Sequence, residues 1–137
     1  YTIVLNADGA TLRESVNVLP DPRSKASADD YARRQVALDE LYGEIGGVNR
    51  MLNQIDARLR HADPAETAAL HAFARQLTYG PRNVEDLGQP LGLRDRLLDL
   101  VARLGSSFAP PNLAQTNEAA ELQRLYRDLS SQFAALK

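Results

Sequence analysis

Seven apolar residues at alternating steps of three and four constrain this chain more than any other feature. They are Leu38, Leu41, Ile45, Val48, Leu52, Ile55 and Leu59. Because an α-helix turns once in about 3.6 residues, this spacing puts all seven side chains on one face of a single helix. An apolar face of that length has to be covered by other elements, so the sequence predicts a helical fold built around this segment.

The composition favours helix packing and excludes several kinds of site. Hydrophobic residues make up 44% of the chain but aromatic residues only 6%, so Leu and Ala supply most of the apolar content. The absence of cysteine excludes disulfides, thiolate catalysis and cysteine-based zinc sites. The net charge is −2 with both signs interleaved, and no apolar run approaches about 20 residues. We therefore expect neither nucleic acid nor a membrane as a partner.

Residues 1–19 are predicted to form a β-hairpin. Its alternating apolar residues are Tyr1, Ile3 and Leu5 on the first strand and Leu12, Val16 and Val18 on the return strand. Residues 6–9 supply the turn, and Glu14 falls on the apolar face. Since an isolated hairpin is marginal in water, it either belongs to a sheet with further strands or packs on the helices. The first residue is Tyr rather than Met, which favours the first option, a sheet whose other strands belong to an upstream part of a longer protein.

A proline-rich linker at residues 20–26 is predicted to precede a helical domain at residues 27–137. A capping box of Ser27 and Asp30 begins the first helix, which runs to about His61. The pair Asp63–Pro64 begins the second helix, which ends near residue 78. The third helix is expected at residues 91–104, after a loop at 82–90 that contains a short turn at 84–87. The fourth is expected from Asn112, with Gln115 as its reciprocal cap, to the C-terminus. The predicted fold class is mainly α, an up-down four-helix bundle with a long first helix.

The first helix contains a glycine cluster, and Phe108 stands in the last connector. Gly43, Gly46 and Gly47 each cost up to about 1 kcal/mol relative to Ala inside a helix. Their cluster predicts a kink or the place where another helix comes closest. We expect the Phe108 side chain to close one end of the core.

Residues that could carry chemistry are few and scattered. His61 and His71 lack carboxylates at ligand spacing, so we interpret them as structural or surface residues. Glu40 and Glu44 lie one turn apart, but off the main apolar stripe, and we predict that they occupy a solvated face. We predict no catalytic residue, no metal site and no cofactor.

Partner binding is the function class that the residues leave open. Tyr31, Tyr42 and Met51 lie beside the main stripe of the first helix, and Tyr126 lies beside that of the fourth. Tyr and Met are enriched at protein interfaces, so these four are the candidate partner contacts. The alternative interpretation is that they widen the core.

Two N-terminal segments carry a family resemblance. The run Tyr1–Leu5 followed by Asp8–Gly9 resembles the last hairpin of bacterial immunoglobulin-like modules. The join Val16–Arg23, followed by Ser27–Asp30 and a long helix, is similar to the C-terminal region of large bacterial proteins with sortilin-like β-propellers, often labelled BNR or Asp-box glycosyl-hydrolase-like. In those proteins a small β-sandwich and a helical tail follow the propellers.

Residues 90–97 and 109–111 also look like the last helical hairpin of that tail. The resemblance implies an extracytoplasmic bacterial protein whose hydrolase activity, if present, lies in a propeller outside these 137 residues. It therefore transfers no catalytic residue to this chain.

Three functional hypotheses follow from these observations. The leading one is a non-catalytic structural or interaction module that braces upstream domains of the same chain or docks another protein. The second is a self-associating helical bundle whose long first helix pairs with a copy of itself. The third, an enzyme, would require a deep polar pocket lined by His71 or by Glu40 and Glu44.

Overall fold

The computed structural model describes residues 1–19, 22, 24–78 and 91–136. Its elements are β1 (Thr2–Ala7), β2 (Ala10–Ser15), α1 (Ala28–Leu59), α2 (Pro64–Leu77), α3 (Leu93–Gly105) and α4 (Leu113–Ala135). The predicted fold class, mainly helical with four helices, a long first helix and a preceding hairpin, is confirmed. The turn predicted at 84–87 and linker residues 20, 21 and 23 lie outside the described residues.

Strands β1 and β2 form an antiparallel hairpin closed by a two-residue turn. The register pairs Leu5 with Leu12 and Ala7 with Ala10. Asp8 and Gly9 have φ angles of 50° and 78°, and positive values at both central residues are typical of the type I′ turn, whose twist matches that of the strands. The predicted position of Glu14 on the apolar face is confirmed, since it pairs with Ile3 on that face.

Side-chain caps fix three of the four helix starts. The Ser27 hydroxyl accepts a hydrogen bond from the Asp30 N–H, and the Asp30 carboxylate accepts one from the Ser27 N–H at 2.8 Å. The Asp63 carboxylate caps α2 at Ala65 and Glu66, and Asn112 and Gln115 form the reciprocal cap of α4. These caps satisfy N–H groups that have no partner inside the helix, as the sequence predicted. Helix α3 begins after Gly92 without a side-chain cap.

Helices α2 and α3 both run antiparallel to α1. Arg58, near the end of α1, binds Glu66 in the first turn of α2. Arg34, near the start of α1, donates to the carbonyl of Leu104 at the end of α3, whereas Arg94 at the start of α3 donates to Asn49. Helix α3 therefore lies beside the N-terminal half of α1, and α2 lies beside the C-terminal half.

Helix α4 runs parallel to α1 and spans both shorter helices. Its first half forms ion pairs with α3, from Glu118 to Arg103 and from Glu121 to Arg96, in antiparallel order. Its second half meets α2, where the rings of Phe133 and Phe73 stack with centroids 5.6 Å apart. In cross-section the bundle thus consists of α1, α4 and a third position shared by α2 and α3.

One hydrophobic core runs along this bundle. Among the described residues, sixteen hydrophobic side chains are buried in it: Leu38, Leu41, Ile45, Val48, Met51, Ile55, Leu70, Phe73, Leu77, Leu93, Leu97, Leu100, Val101, Leu104, Leu122 and Leu129. Five of the seven stripe residues are in this set, and Leu52 and Leu59 pack against it partly buried. The α1 stripe is therefore covered by the helices of its own chain. Among the described residues, no helix is both long and apolar enough to cross a membrane.

The glycine cluster and Phe108 differ in part from expectation. Helix α1 continues without a break through all three glycines, and only Gly47 is buried. A Cβ built on Gly47 would lie 2.6 Å from Cζ of Tyr126 on α4, so the expected close approach is confirmed there. Nothing lies within 4 Å of such an atom on Gly43. The expectation that Phe108 closes the core was wrong, because this side chain is 56% exposed.

Candidate interaction surface and a buried carboxylate

The four candidate contact residues do not form one patch. Met51 is buried in the core, and Tyr126 packs half-buried against Gly47, so both contribute to the interior, as the alternative interpretation held. Tyr31 is half-buried, and its hydroxyl donates to Oγ of Ser24 at 3.1 Å. Tyr42 is 55% exposed, three helical turns from Tyr31. Of the four candidates, the structure thus leaves Tyr42 alone as an exposed aromatic side chain.

A larger apolar surface lies on the hairpin, at residues that were predicted as structure rather than as a site. Antiparallel partners share a face, so the register gathers the apolar side chains on one side of the two strands. We call this the apolar hairpin face; it consists of Tyr1, Ile3, Leu5, Leu12 and Val16, and it also carries the charged side chain of Glu14 opposite Ile3. Ile3 and Leu5 are each 56% exposed and Leu12 is 66% exposed. Every residue of both strands is exposed and Val16, just after β2, is half-buried, so the helices leave most of this face uncovered.

The opposite face of the hairpin is polar. It carries Thr2, Asn6, Thr11, Arg13 and Ser15, with Val4 as its one apolar side chain. The Thr11 hydroxyl donates to the Asn6 side-chain oxygen across the strands at 2.7 Å. The hairpin is therefore amphipathic in the manner of a sheet that packs on a core through one face.

An open groove of about 670 Å³ separates the base of the hairpin from the helices. Tyr1, Val18 and Leu19 line one side, and Tyr31 and Phe108 line the other. The rings of Tyr31 and Phe108 are tilted with centroids 5.9 Å apart. The apolar hairpin face and this groove thus form neighbouring apolar surfaces at one end of the molecule.

Arg34 holds the helical wall of this groove in place. Its Nε donates to the Leu104 carbonyl at 2.9 Å and its Nη2 donates to the Gly105 carbonyl at 3.2 Å. A cation is favoured there because carbonyls at a helix C-terminus lack partners inside the helix and carry partial negative charge. The guanidinium also lies 6.0 Å from the Phe108 ring centroid. One side chain therefore joins α1, the end of α3 and the exposed aromatic.

Glu44 is buried, and the prediction that it lies on a solvated face was wrong. Its residue exposure is 8%, and its Oε2 atom has no hydrogen-bond partner among the described residues. Burial, and to a lesser extent the charge of Glu40 on the same helix, raise the pKa of Glu44 to about 7 against an opposing effect of Arg127 on α4. Glu40 is exposed, as predicted.

Helix packing explains the burial of Glu44. Glu44, Gly47 and Met51 are themselves spaced by three and four residues, so they form a second stripe beside the main one. Tyr126 of α4 lies against Gly47 in this stripe. The helical spacing of these three residues is present in the sequence. Gly and Glu are not apolar residues, however, so a pattern of apolar positions does not reveal this second stripe.

The residues weighed as catalytic or metal-binding do not come together. His61 and His71 are exposed, and the lining of the groove includes neither Glu44 nor either histidine. In the described ranges, no three His, Cys, Asp or Glu side chains form a group that could hold a metal ion. Comparison with protein-family models, with curated proteins and with solved structures found no match.

Proposed function

We propose that this chain is a non-catalytic structural or interaction module whose hairpin docks on a β-rich domain of the same polypeptide. The observation that carries this proposal is the apolar hairpin face, which presents Ile3, Leu5 and Leu12 to solvent. A two-stranded hairpin without a covered face is marginal in water, so a partner that buries this face would stabilise both.

The burial energy available at this face is substantial. Fully burying a side chain the size of Leu or Ile contributes roughly 1.5–3 kcal/mol. Ile3, Leu5 and Leu12 are each more than half exposed, so a partner could still bury most of that surface. The helical bundle, whose core is formed without the hairpin, would serve as a rigid support for it.

The family resemblance supports a setting for this docking. It is to the join between a small β-sandwich and a helical tail in bacterial proteins with sortilin-like propellers, which are extracytoplasmic. In that setting the bundle braces the end of the sandwich, and any hydrolase activity belongs to the propeller. The alternative hypothesis, pairing of α1 with a second copy through its stripe, gains no support because that stripe is buried within the chain.

Hydroxyl-radical footprinting tests the docking. The native polypeptide is isolated from its cells, its mass and N-terminus are determined, and its labelling is compared with that of the 137-residue chain. We expect labelling of Tyr1, Leu5 and Leu12 to fall in the native polypeptide. Tyr42, exposed on α1, is the internal control and should be labelled equally in both. Equal labelling of the hairpin in both samples would refute the proposal.

A further inference from the structure

The free edge of β1 points to a specific mode of self-association. Tyr1 and Val16 exchange both backbone hydrogen bonds, at 3.1 and 2.9 Å. Hydrogen-bonded and non-hydrogen-bonded pairs alternate along an antiparallel ladder, so the N–H and C=O groups of Thr2, Val4 and Asn6 point away from β2. In the described part of the chain no backbone group pairs with them, and the sheet consists of β1 and β2 alone.

The two edges of this sheet differ in chemistry. Strand β1 has the sequence TIVLNA, with no charge, no proline and no bulge in its register. Strand β2 has the sequence ATLRES and carries Arg13 and Glu14. Natural sheets protect free edges with charges, prolines or bulges. Strand β2 has such protection and β1 does not, so β1 is the edge built to accept a further strand.

Strand β1 is also complementary to itself. In a two-fold antiparallel pairing centred on Val4, residue 4 pairs with residue 4 of the copy and residue 2 pairs with residue 6, and the outward-pointing backbone groups meet. Val4, the only apolar residue of the polar face, then lies against its own symmetry mate. On the apolar face Ile3 lies opposite Leu5 of the copy, in a non-hydrogen-bonded pair where side chains approach closely.

We propose that two copies of this chain associate through their β1 strands to form a four-stranded antiparallel sheet. Like charges do not meet across this seam, because β1 carries none. The two apolar hairpin faces become one continuous surface of twice the area. Four strands with one apolar face also exceed the two-stranded hairpin in independent stability. The association goes beyond the proposed function, because it uses the edge of the hairpin rather than its face.

Single cysteines test the register directly, since the chain has no cysteine of its own. In the proposed sheet the two residue-4 Cα atoms lie about 5.5 Å apart, within the range that a disulfide spans. We expect V4C to form a disulfide-linked dimer under mild oxidation. The matched control is R13C, which is on the same rung of the hairpin but on the outer edge of β2, and should remain monomeric.

Proline substitutions test the backbone hydrogen bonds. Val4→Pro removes an N–H that the hairpin itself does not use, so the hairpin is retained while the central rung of the dimer is lost. Sedimentation of the unmodified chain over a wide concentration range should show dimers of the 15.1 kDa monomer. We expect Val4→Pro to raise the dimer Kd by roughly tenfold or more, and Arg13→Pro to leave it unchanged.

The outcomes separate this proposal from the docking proposal. A chain that stays monomeric at all concentrations, or equal cross-linking of V4C and R13C, would overturn the dimer. Docking would survive that result if footprinting still showed the hairpin face covered in the native polypeptide. Conversely, a β1-linked dimer whose apolar face stays fully labelled in the native polypeptide would sustain the dimer and refute docking.

Discussion

Replacing Glu44 by Gln should make the chain more stable at neutral and alkaline pH, by an amount that grows with pH. Glu44 is 8% exposed, and its Oε2 atom has no partner among the described residues. Its pKa is raised by burial from 4.5 to about 7. In the unfolded chain the carboxyl ionises near its ordinary pKa. Stability therefore falls as the pH rises from about 4.5, and the loss is complete once the pH exceeds the folded-state pKa of about 7.

The magnitude follows from the pKa difference between the folded and unfolded states. At about 1.4 kcal/mol per pH unit, the full penalty of the ionised Glu44 is on the order of 3 kcal/mol. Only about 1 kcal/mol of this is present at pH 5, because that pH lies only about half a unit above the unfolded-state pKa. Gln has nearly the same shape and does not ionise, so its own cost of burial is independent of pH. The stabilisation by Glu44→Gln should thus increase by roughly 2 kcal/mol between pH 5 and pH 8.

Urea unfolding of the unmodified chain and of Glu44→Gln at a series of pH values measures this difference. The matched control is Glu40→Gln, one turn away and exposed, whose effect should stay within about 0.5 kcal/mol at every pH. The decisive quantity is the change of the stability difference with pH, because a constant difference would report only the packing of the amide. A Glu44→Gln effect that is the same at pH 5 and pH 8 would refute a buried carboxyl with a raised pKa.

Three further predictions concern packing. Gly47→Ala should lower the free energy of unfolding by about 1–2 kcal/mol, because the new methyl overlaps the Tyr126 ring. Gly43→Ala should raise it by about 0.5–1 kcal/mol, because there is open space around Gly43 and Ala favours the helix. Thermal unfolding of both variants checks that the two effects have opposite signs. Arg58→Met should lower the free energy of unfolding by about 1–2 kcal/mol in the same assay. It removes the half-buried hydrogen bonds to Glu66 and to the Leu136 carbonyl but keeps an apolar side chain of similar length. No measurable loss would show that water replaces the guanidinium without penalty. Leu12→Lys should change the free energy of unfolding of the helices by no more than about 0.5 kcal/mol, because the bundle does not bury Leu12. Thermal unfolding followed by circular dichroism checks this, and a large loss would mean that the hairpin face packs on the bundle.

Local signals made much of the fold predictable. The capping residues Ser27, Asp63 and Asn112 act on the N–H groups two or three positions ahead, so their effect can be read from a few letters of sequence. The stripe of α1 likewise depends only on helical spacing. Helix α3 shows the limit of this reasoning, since it begins at Leu93 rather than at the expected residue 91 and has no capping side chain to mark its start.

Features that depend on the partner helix were harder to predict. Glu44 is buried because α4 packs along the side of α1 that also carries Gly47, and nothing in the α1 sequence states where α4 lies. The directions of α2 and α3 relative to α1 likewise rest on ion pairs and hydrogen bonds between residues far apart in sequence, such as Arg94 and Asn49. The exposure of the hairpin face depends on what the helices leave uncovered. For the same reason, the candidate interaction surface followed from the structure and not from the four residues first singled out.

Arg34 and Arg58 of α1 contact the ends of other helices, so the length of α1 between them is tied to the lengths of those helices. Arg34 binds the last carbonyls of α3, and Arg58 binds the Leu136 carbonyl at the end of α4. The 24 residue steps from Arg34 to Arg58 rise about 36 Å, close to the rise of about 35 Å over the 23 residues of α4. One residue inserted into α1 between the arginines would turn one of them by about 100° and break its contact. Lengthening this bundle with both contacts kept would therefore require whole helical repeats to be added to α1, to α4 and to the shared third position together.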